Sequence, residues 1–428
     1  MNKKKIIFLI TIHFICIFSF SQNIDYAKLI VQKLTSTKFQ GRGYTRNGNF
    51  LAAEYISGEF KRIGLLPLQN TYYQKFTIPA NTFPNDISLK INDKTLKPGI
   101  DYLVDASSPT IQGKFNLLKV LRKDLDTHEK LINIINNIND KILYIDELNK
   151  ASEDKNQSKS INEYLSFLKY SSEIKCKGII INTHEKLTWN ASSEVNCRPI
   201  IILNKSIDIN SISTTEITIQ NKFIKNYSTQ NIIGYVKGVS SPDSFLVVIA
   251  HYDHLGNMGK NTYFPGANDN ASGVAMLLTL AEYFSKHPLQ YSVLFISLSG
   301  EEIGLLGAKE FTEHPLIPLK NIKFLVNFDL AGTGDEGVRV VNGSIYKDKF
   351  DLLRTINSEN NFLSKIDIRG EACNSDHCMF YKKGVPCFYI YTQGGIKAYH
   401  DVYDISETLP LSAFEPYSKL MIKFFESF

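Results

Sequence analysis

Beyond its first two dozen positions the chain has no run of apolar residues approaching the ~20 that a membrane-crossing helix needs, so no stable membrane anchor is expected. An excess of one charge is missing too. Lysine and arginine number 48 against 43 acidic residues. Three of the 48, Lys3 to Lys5, lie in a segment expected to be removed, which leaves 45 against 43. That balance excludes the basic footprint of a nucleic-acid binder, so no nucleic acid is expected as a partner. Cysteine occurs six times in 428 residues, too sparsely for a small disulfide-stapled scaffold. No repeat at a solenoid period is present. Tryptophan occurs once, at Trp189.

The N-terminus carries a pattern of its own. Lys3 to Lys5 form a positive start, Ile6 to Phe18 an apolar run, and Ser19-Phe-Ser21 a small-x-small site before Gln22. Residues 1–21 are therefore expected to be a cleaved signal peptide, and the protein to be exported to the periplasm or outside the cell. Five cysteines would remain. Export permits disulfides. Sequence proximity suggests Cys176 with Cys197 and Cys373 with Cys378, while free buried thiols fit equally well.

Two helices are predicted within residues 24–66, separated by the turn Gly41-Arg-Gly43. Residues 77–227 differ in character. Short apolar runs such as Ile142–Ile145, Gly178–Asn182 and Pro199–Leu203 alternate with Asn-, Lys- and Ser-rich connections, and Asn149 to Lys159 reads as a surface loop. No catalytic constellation is visible there, so this section is expected to be an inserted, mainly β accessory domain. From Asn231 strands and helices alternate. Strands are predicted at 232–236, 245–250, 292–298, 322–328, 338–341 and 386–391, and helices at 272–286, 346–360 and 413–425. The pattern predicts an α/β fold: a mostly parallel mixed sheet flanked by helices, built from residues 22–76 and 228–428.

Chemistry-bearing residues fall where these strands end. His251 and Asp253 follow the run Phe245–Ala250; an imidazole with a nearby carboxylate can supply a metal ligand and its support. Asp269 stands between two asparagines at a helix start, where capping is the ordinary role. Glu301 and Glu302 follow Ser299-Gly300 off a buried strand, and Asp329 closes another. His400 comes later, after Tyr399. Singly each is unremarkable. Together His251, Asp269, Glu302, Asp329 and His400 supply two imidazoles and three carboxylates. If Asp269 bridges, two ions would each gain three protein ligands and keep an open position, a hydrolytic two-metal arrangement. Mixed imidazole and carboxylate ligation suits zinc, with cobalt or manganese possible.

Five motifs in order carry a resemblance: His251-Tyr-Asp-His-Leu-Gly256, Gly266-Ala-Asn-Asp-Asn-Ala-Ser-Gly273, Ser299-Gly-Glu-Glu302 with its following glycines, Asn327-Phe-Asp329 and Tyr399-His400. They resemble the two-zinc aminopeptidases of the M28 peptidase family. The resemblance implies a zinc-peptidase/phosphorylase-like fold and two Zn2+ per chain, with those five residues as ligands. It implies Glu301 as general base, Asp253 as support for His251, and peptides as substrates cut at the N-terminal bond. It also implies a cis peptide after Asp269. Tyr399 stands where some members aim a hydroxyl at the reacting carbonyl; a packed aromatic is the alternative. Residues 77–227 resemble, more loosely, the protease-associated insert of many members. Two other functions remain open. Glutaminyl cyclases share the fold but commonly carry Trp and Ser where this chain has Tyr252 and His254. A non-catalytic relative would be expected to have lost ligands, and none is missing here. Asp376-His377 is read as wall or structure, and Arg42 as structural. Neither the preferred residue nor the oligomeric state is legible.

Overall fold

The structure is a computed structural model that describes residues 22–148 and 155–428. The expected signal segment, 1–21, lies outside the described residues. Two eight-stranded sheets and one short two-stranded ribbon are formed by the described residues. The first consists of β1 (Tyr73–Thr82), β2 (Lys222–Val236), β3 (Ser241–His251), β4 (Tyr291–Leu298), β5 (Ile322–Phe328), β6 (Val338–Val341), β7 (Ile366–Ile368) and β8 (Cys387–Thr392), in the order β1-β2-β4-β3-β5-β8-β6-β7. Its centre, β4-β3-β5-β8, is parallel, and β1 and β2 join antiparallel at one edge.

The near-continuous apolar run of β3 is explained by burial on both faces. Leu246, Val248 and Ala250 pack with helices α1 (Gln22–Thr35), α2 (Gly48–Ile63), α3 (Gly273–Lys286) and α4 (Phe414–Glu426). Val247 and Ile249 face the opposite layer with Ala308, Phe311 and Phe380. After β3 the chain returns as β4 on one side and then crosses to β5 on the other. The carboxyl end of β3 is thus a switch point, where open α/β sheets form crevices. The register aligns His251 with Leu298, and Ile249 with Asn327, so three strands end side by side.

The second sheet is built from strands between Ile87 and Ile219. Four of them, Ile111–Leu121, Ile142–Asp146, Gly178–Asn182 and Ile200–Leu203, run parallel. Two helices, His128–Asn137 and Lys155–Tyr170, pack with it, so this section is less purely β than its short apolar runs predict. The second helix takes in residues 155–159 of the expected loop, while 149–154 lie outside the described residues. Ile161, Leu165 and Leu168 bury one stripe of the helix, while Phe167 and Tyr170 stay exposed among polar residues, a weak signal in the sequence. The boundaries expected near 77 and 228 fall inside β1 and β2, which pair from Tyr73 with Ile232 to Thr82 with Lys222, with a register shift between Ile78 and Ala80. The insert's core also includes Leu255, Met258 and Phe264 from the loop after β3. Cys373 and Cys378 form a disulfide, while Cys176 and Cys197 are free.

Arg42 ties these parts together. Its guanidinium is fully buried and donates only to backbone carbonyls: Tyr252 (2.8 Å), Leu34 (3.2 Å), Pro265 (2.6 Å), Gly266 (2.8 Å) and Asp269 (3.1 Å). Burial pushes its pKa down to about 10. The turn around it requires glycine. Gly41 has φ +63°, and a Cβ on Gly43 would lie 2.3 Å from Gly256 Cα. Replacing Arg42 by methionine would leave five carbonyls short of a donor, each costing about 1–3 kcal/mol when buried unpaired, before relaxation. We expect Arg42→Met to lose about 3–5 kcal/mol of unfolding free energy in denaturant titration. Arg42→Lys should recover little, since an ammonium has three donors in a different geometry. A loss below about 1 kcal/mol would contradict this role.

Candidate metal centre

His251 ends β3, Glu301 and Glu302 lie in the turn after β4, and Asp329 follows β5, so three neighbouring strand ends deliver four of the expected groups. The other two come from loops. Asp269 precedes α3, and His400 sits in a left-handed conformation at φ 52°. All the expected ligands converge. His251 Nε2 lies 3.3 Å from Asp269 Oδ1 and 3.4 Å from Asp329 Oδ1. His400 Nε2 lies 2.9 Å from Asp269 Oδ2 and 3.3 Å from Glu302 Oε2. Asp269 therefore turns one oxygen to each histidine. Atoms bound at ~2.0–2.1 Å to one tetrahedral zinc stand roughly 3.3–3.4 Å apart. Three of these four separations match that spacing closely, and the donor set fits zinc. Glu301 approaches His251 and Asp329 within the same cluster.

The electrostatics point the same way. Burial favours neutral carboxyls, and Glu301 is pushed well above the usual carboxylate range by burial, with Glu302, Asp376 and Asp329 adding to it against the opposing pull of His251. Burial would lower His400, but Glu302 and Asp269 more than offset this and raise it to about 9. Burial likewise opposes charge on His251, and Glu301, Asp329 and Asp269 overcome it. Without metal, protons on the imidazoles compensate the acids. Bound cations would take that place.

Contacts around the ligands decide their orientation. The backbone N–H groups of Asn268 and Asp269 donate to Asp404 at 2.8 and 3.0 Å. Asn270, not Asp269, accepts from the N–H of Gly273 at the start of α3 (3.0 Å), which leaves the Asp269 carboxylate free of the capping role. The Asp269–Asn270 peptide is cis, as the resemblance implies. Ser375 donates to Asp329 Oδ2 at 2.7 Å, and His254 Nδ1 meets Glu302 Oε1 at 2.7 Å. Asp253 serves His251 less directly than expected. Its carboxylate stands 3.8 Å from His251 Nδ1, whose nearer contact is the Asp253 carbonyl at 3.2 Å. That carboxylate instead accepts from Tyr44 Oη and from the backbone N–H groups of Glu301 and Glu302, both at 3.3 Å. The Tyr399 ring stacks on His400, with centroids 4.0 Å apart and planes 12° apart. His377 bonds the Ala372 carbonyl and stays off the cluster.

The inserted section reaches the site as well. His400 Nδ1 donates to the Trp189 carbonyl at 2.9 Å and lies 3.1 Å from Asn190 Oδ1, which reserves Nε2 for a metal. Trp189 N–H donates to the His400 carbonyl at 2.8 Å. The indole stacks on Phe264 and donates to the Val104 carbonyl. Trp189, Tyr44, His254, Ser375, Asp404 and Arg42 were not legible as site residues. Only the uniqueness of the tryptophan and the motif position of His254 hinted at them.

Residues 231–425 match the sequence model of Peptidase family M28. The likeness to that family lies in this segment. The aminopeptidase YwaD of Bacillus subtilis is 33% identical over 164 residues, which span 37% of this chain and 34% of that protein. A probable zinc metalloprotease of Pyricularia oryzae is 34% identical over 111 residues, 25% of this chain and 22% of that one. The chain thus aligns with a third or less of these relatives. Among solved structures, the zinc aminopeptidase BSAP from Bacillus subtilis superposes with a TM-score of 0.69 at 20% identity, covering 94% of each chain. The aminopeptidase of Aneurinibacillus sp. strain AM-1 gives 0.62 at 19%, covering 94% and 92%. The fold likeness extends over residues 77–227 as well as the segment that carries the ligands.

Trp189→Ala would free the loop that orients His400. Outer contacts of a ligand histidine typically contribute 10–100-fold to metal affinity. We expect zinc affinity, measured by competition with a chelator, to fall by about that factor. Asn190→Ala keeps the Trp189 carbonyl and should cost less. An unchanged affinity in Trp189→Ala would refute this function of the insert.

Proposed function

We propose that this chain is an exported zinc aminopeptidase that hydrolyses the first peptide bond of its substrates. One observation carries the reading: Asp269 divides its two oxygens between His251 with Asp329 and His400 with Glu302. His251, Asp269 and Asp329 would hold one zinc, and His400, Asp269 and Glu302 the other. When bound, such a pair polarises the scissile carbonyl and lowers the pKa of water. Glu301 takes the proton of the attacking water and returns it to the departing amine. Its raised proton affinity in the metal-free protein suits a group that must hold a proton for part of the cycle. The acidic cavity favours the substrate's ammonium end. Support from outside the site comes from the family match and from relatives named as aminopeptidases and zinc metalloproteases. Residues 77–227 are proposed as a protease-associated-like insert beside the cavity.

Elemental analysis should find two zinc ions per chain, and a chelator should remove activity with them. Glu301→Gln should keep its zinc and lose about 10²–10⁴-fold in turnover of an aminoacyl-anilide. Glu302→Gln should lose zinc first, with partial rescue by excess metal. If Glu301→Gln emptied the site while Glu302→Gln did not, the two roles would be reversed. Export is tested separately. N-terminal sequencing of protein recovered outside the cytoplasm should begin at Gln22, and an intact Met1 there would count against cleavage.

A further inference from the structure

The cavity in front of the metal centre is about 520 Å³, room for a short peptide. Away from the acids its wall is made mostly by Asn190, Arg369, Asn374, Tyr389, Tyr391 and Tyr399, with Leu330 the one aliphatic side chain among the described residues. Among the described residues Arg369 is the one lysine or arginine lining it. Its main chain is held at the end of β7, where its N–H donates to the Val340 carbonyl at 2.9 Å and its carbonyl accepts from Ser344 at 3.3 Å. The Cys373–Cys378 disulfide anchors the loop that follows, which brings Asn374 to the same wall.

Two arginines flank Tyr391, and they differ. Arg339 pairs with Asp367 at 3.5 Å. Arg369 makes no ion pair among the described residues, and its side chain donates one hydrogen bond, to Tyr391 Oη at 3.3 Å. The residue is exposed at the cavity wall, and the rest of its donor fork makes no hydrogen bond among the described residues. A planar guanidinium with free parallel N–H groups is built to take a carboxylate in bidentate fashion. A carboxylate elsewhere in this cavity would meet Asp269, Glu301, Glu302 and Asp329. An anion on the substrate is tolerated best at Arg369.

We propose that Arg369 is a specificity-determining residue that recognises a substrate carboxylate. The inference rests on the peptidase reading. The carboxylate has two possible sources, an acidic N-terminal side chain or the free C-terminus of a di- or tripeptide. Four probes separate them: Glu-Leu-amide, Gln-Leu-amide, Leu-Leu and Leu-Leu-amide. Binding is measured by calorimetry on zinc-loaded Glu301→Gln protein, with and without Arg369→Gln, and hydrolysis on the wild type and Arg369→Gln. A hydrogen-bonded carboxylate should favour the charged member of one pair by about 10–100-fold. Glu-Leu-amide over Gln-Leu-amide indicates the side chain, and Leu-Leu over Leu-Leu-amide indicates the terminus. Arg369→Gln should abolish the preference while leaving the uncharged members within about twofold. Equal binding within both pairs, or a preference that survives Arg369→Gln, overturns the proposal. Charge-selective binding without hydrolysis would sink the peptidase reading and leave Arg369 as a carboxylate site. Hydrolysis without charge selectivity would do the reverse, and binding of none of the four would sink both.

Discussion

A carboxylate can face two cations only if nothing else needs its oxygens. The structure meets this constraint at Asp269 by satisfying the backbone around it from elsewhere. Its N–H goes to Asp404, its carbonyl to Arg42, and the helix start that an aspartate would ordinarily cap is served by Asn270. Arg42 extends the same hold to Tyr252, Pro265 and Gly266, so the loop carrying Asp269 and the strand end carrying His251 share one anchor. Five backbone acceptors converge on a cation that has no direct carboxylate partner. That is why its burial is tolerable: every donor is used.

The sheet supplies the other half of the geometry. Parallel strands whose ends lie in register place His251, Glu301, Glu302 and Asp329 within one crevice without any long loop. The turn after β4 is fixed beneath them. Ser299 exchanges hydrogen bonds with Asn49 and Thr229, and Asp253 takes the N–H groups of both glutamates. Adjacent side chains then diverge, Glu302 toward His400 and Glu301 toward His251 and Asp329.

The inserted section is part of the site rather than an ornament on it. Its Trp189–Asn190 loop sets the ring of His400, and Lys186 binds the carbonyls of Lys397 and Tyr399 and the carboxylate of Asp401. The indole lies in a core to which Leu255, Met258 and Phe264 of the neighbouring domain contribute. Cooperative packing across that boundary couples the insert to the ligand loops.

Much was determined locally, and so was readable in the chain. Doubly buried strands are largely apolar, and charged residues wait for their ends; that pattern marks β3, β4 and β5, with His251 as the last residue of β3 and Glu301, Glu302 and Asp329 beyond β4 and β5. The ligand types were legible because imidazole and carboxylate together suit zinc, and their order through the resemblance to the M28 peptidases. The partners that aim those ligands were not. Tyr44 reaches Asp253 across 209 positions, Trp189 reaches His400 across 211, and Asp404 reaches Asp269 across 135. Such contacts have no period and no fixed spacing, and several use backbone atoms that any residue could offer. They exist only once two sheets and a buried arginine have brought distant segments together. Local periodicity and side-chain chemistry therefore determined the fold class and the donors, while which atom of each donor faces the centre was decided by tertiary packing.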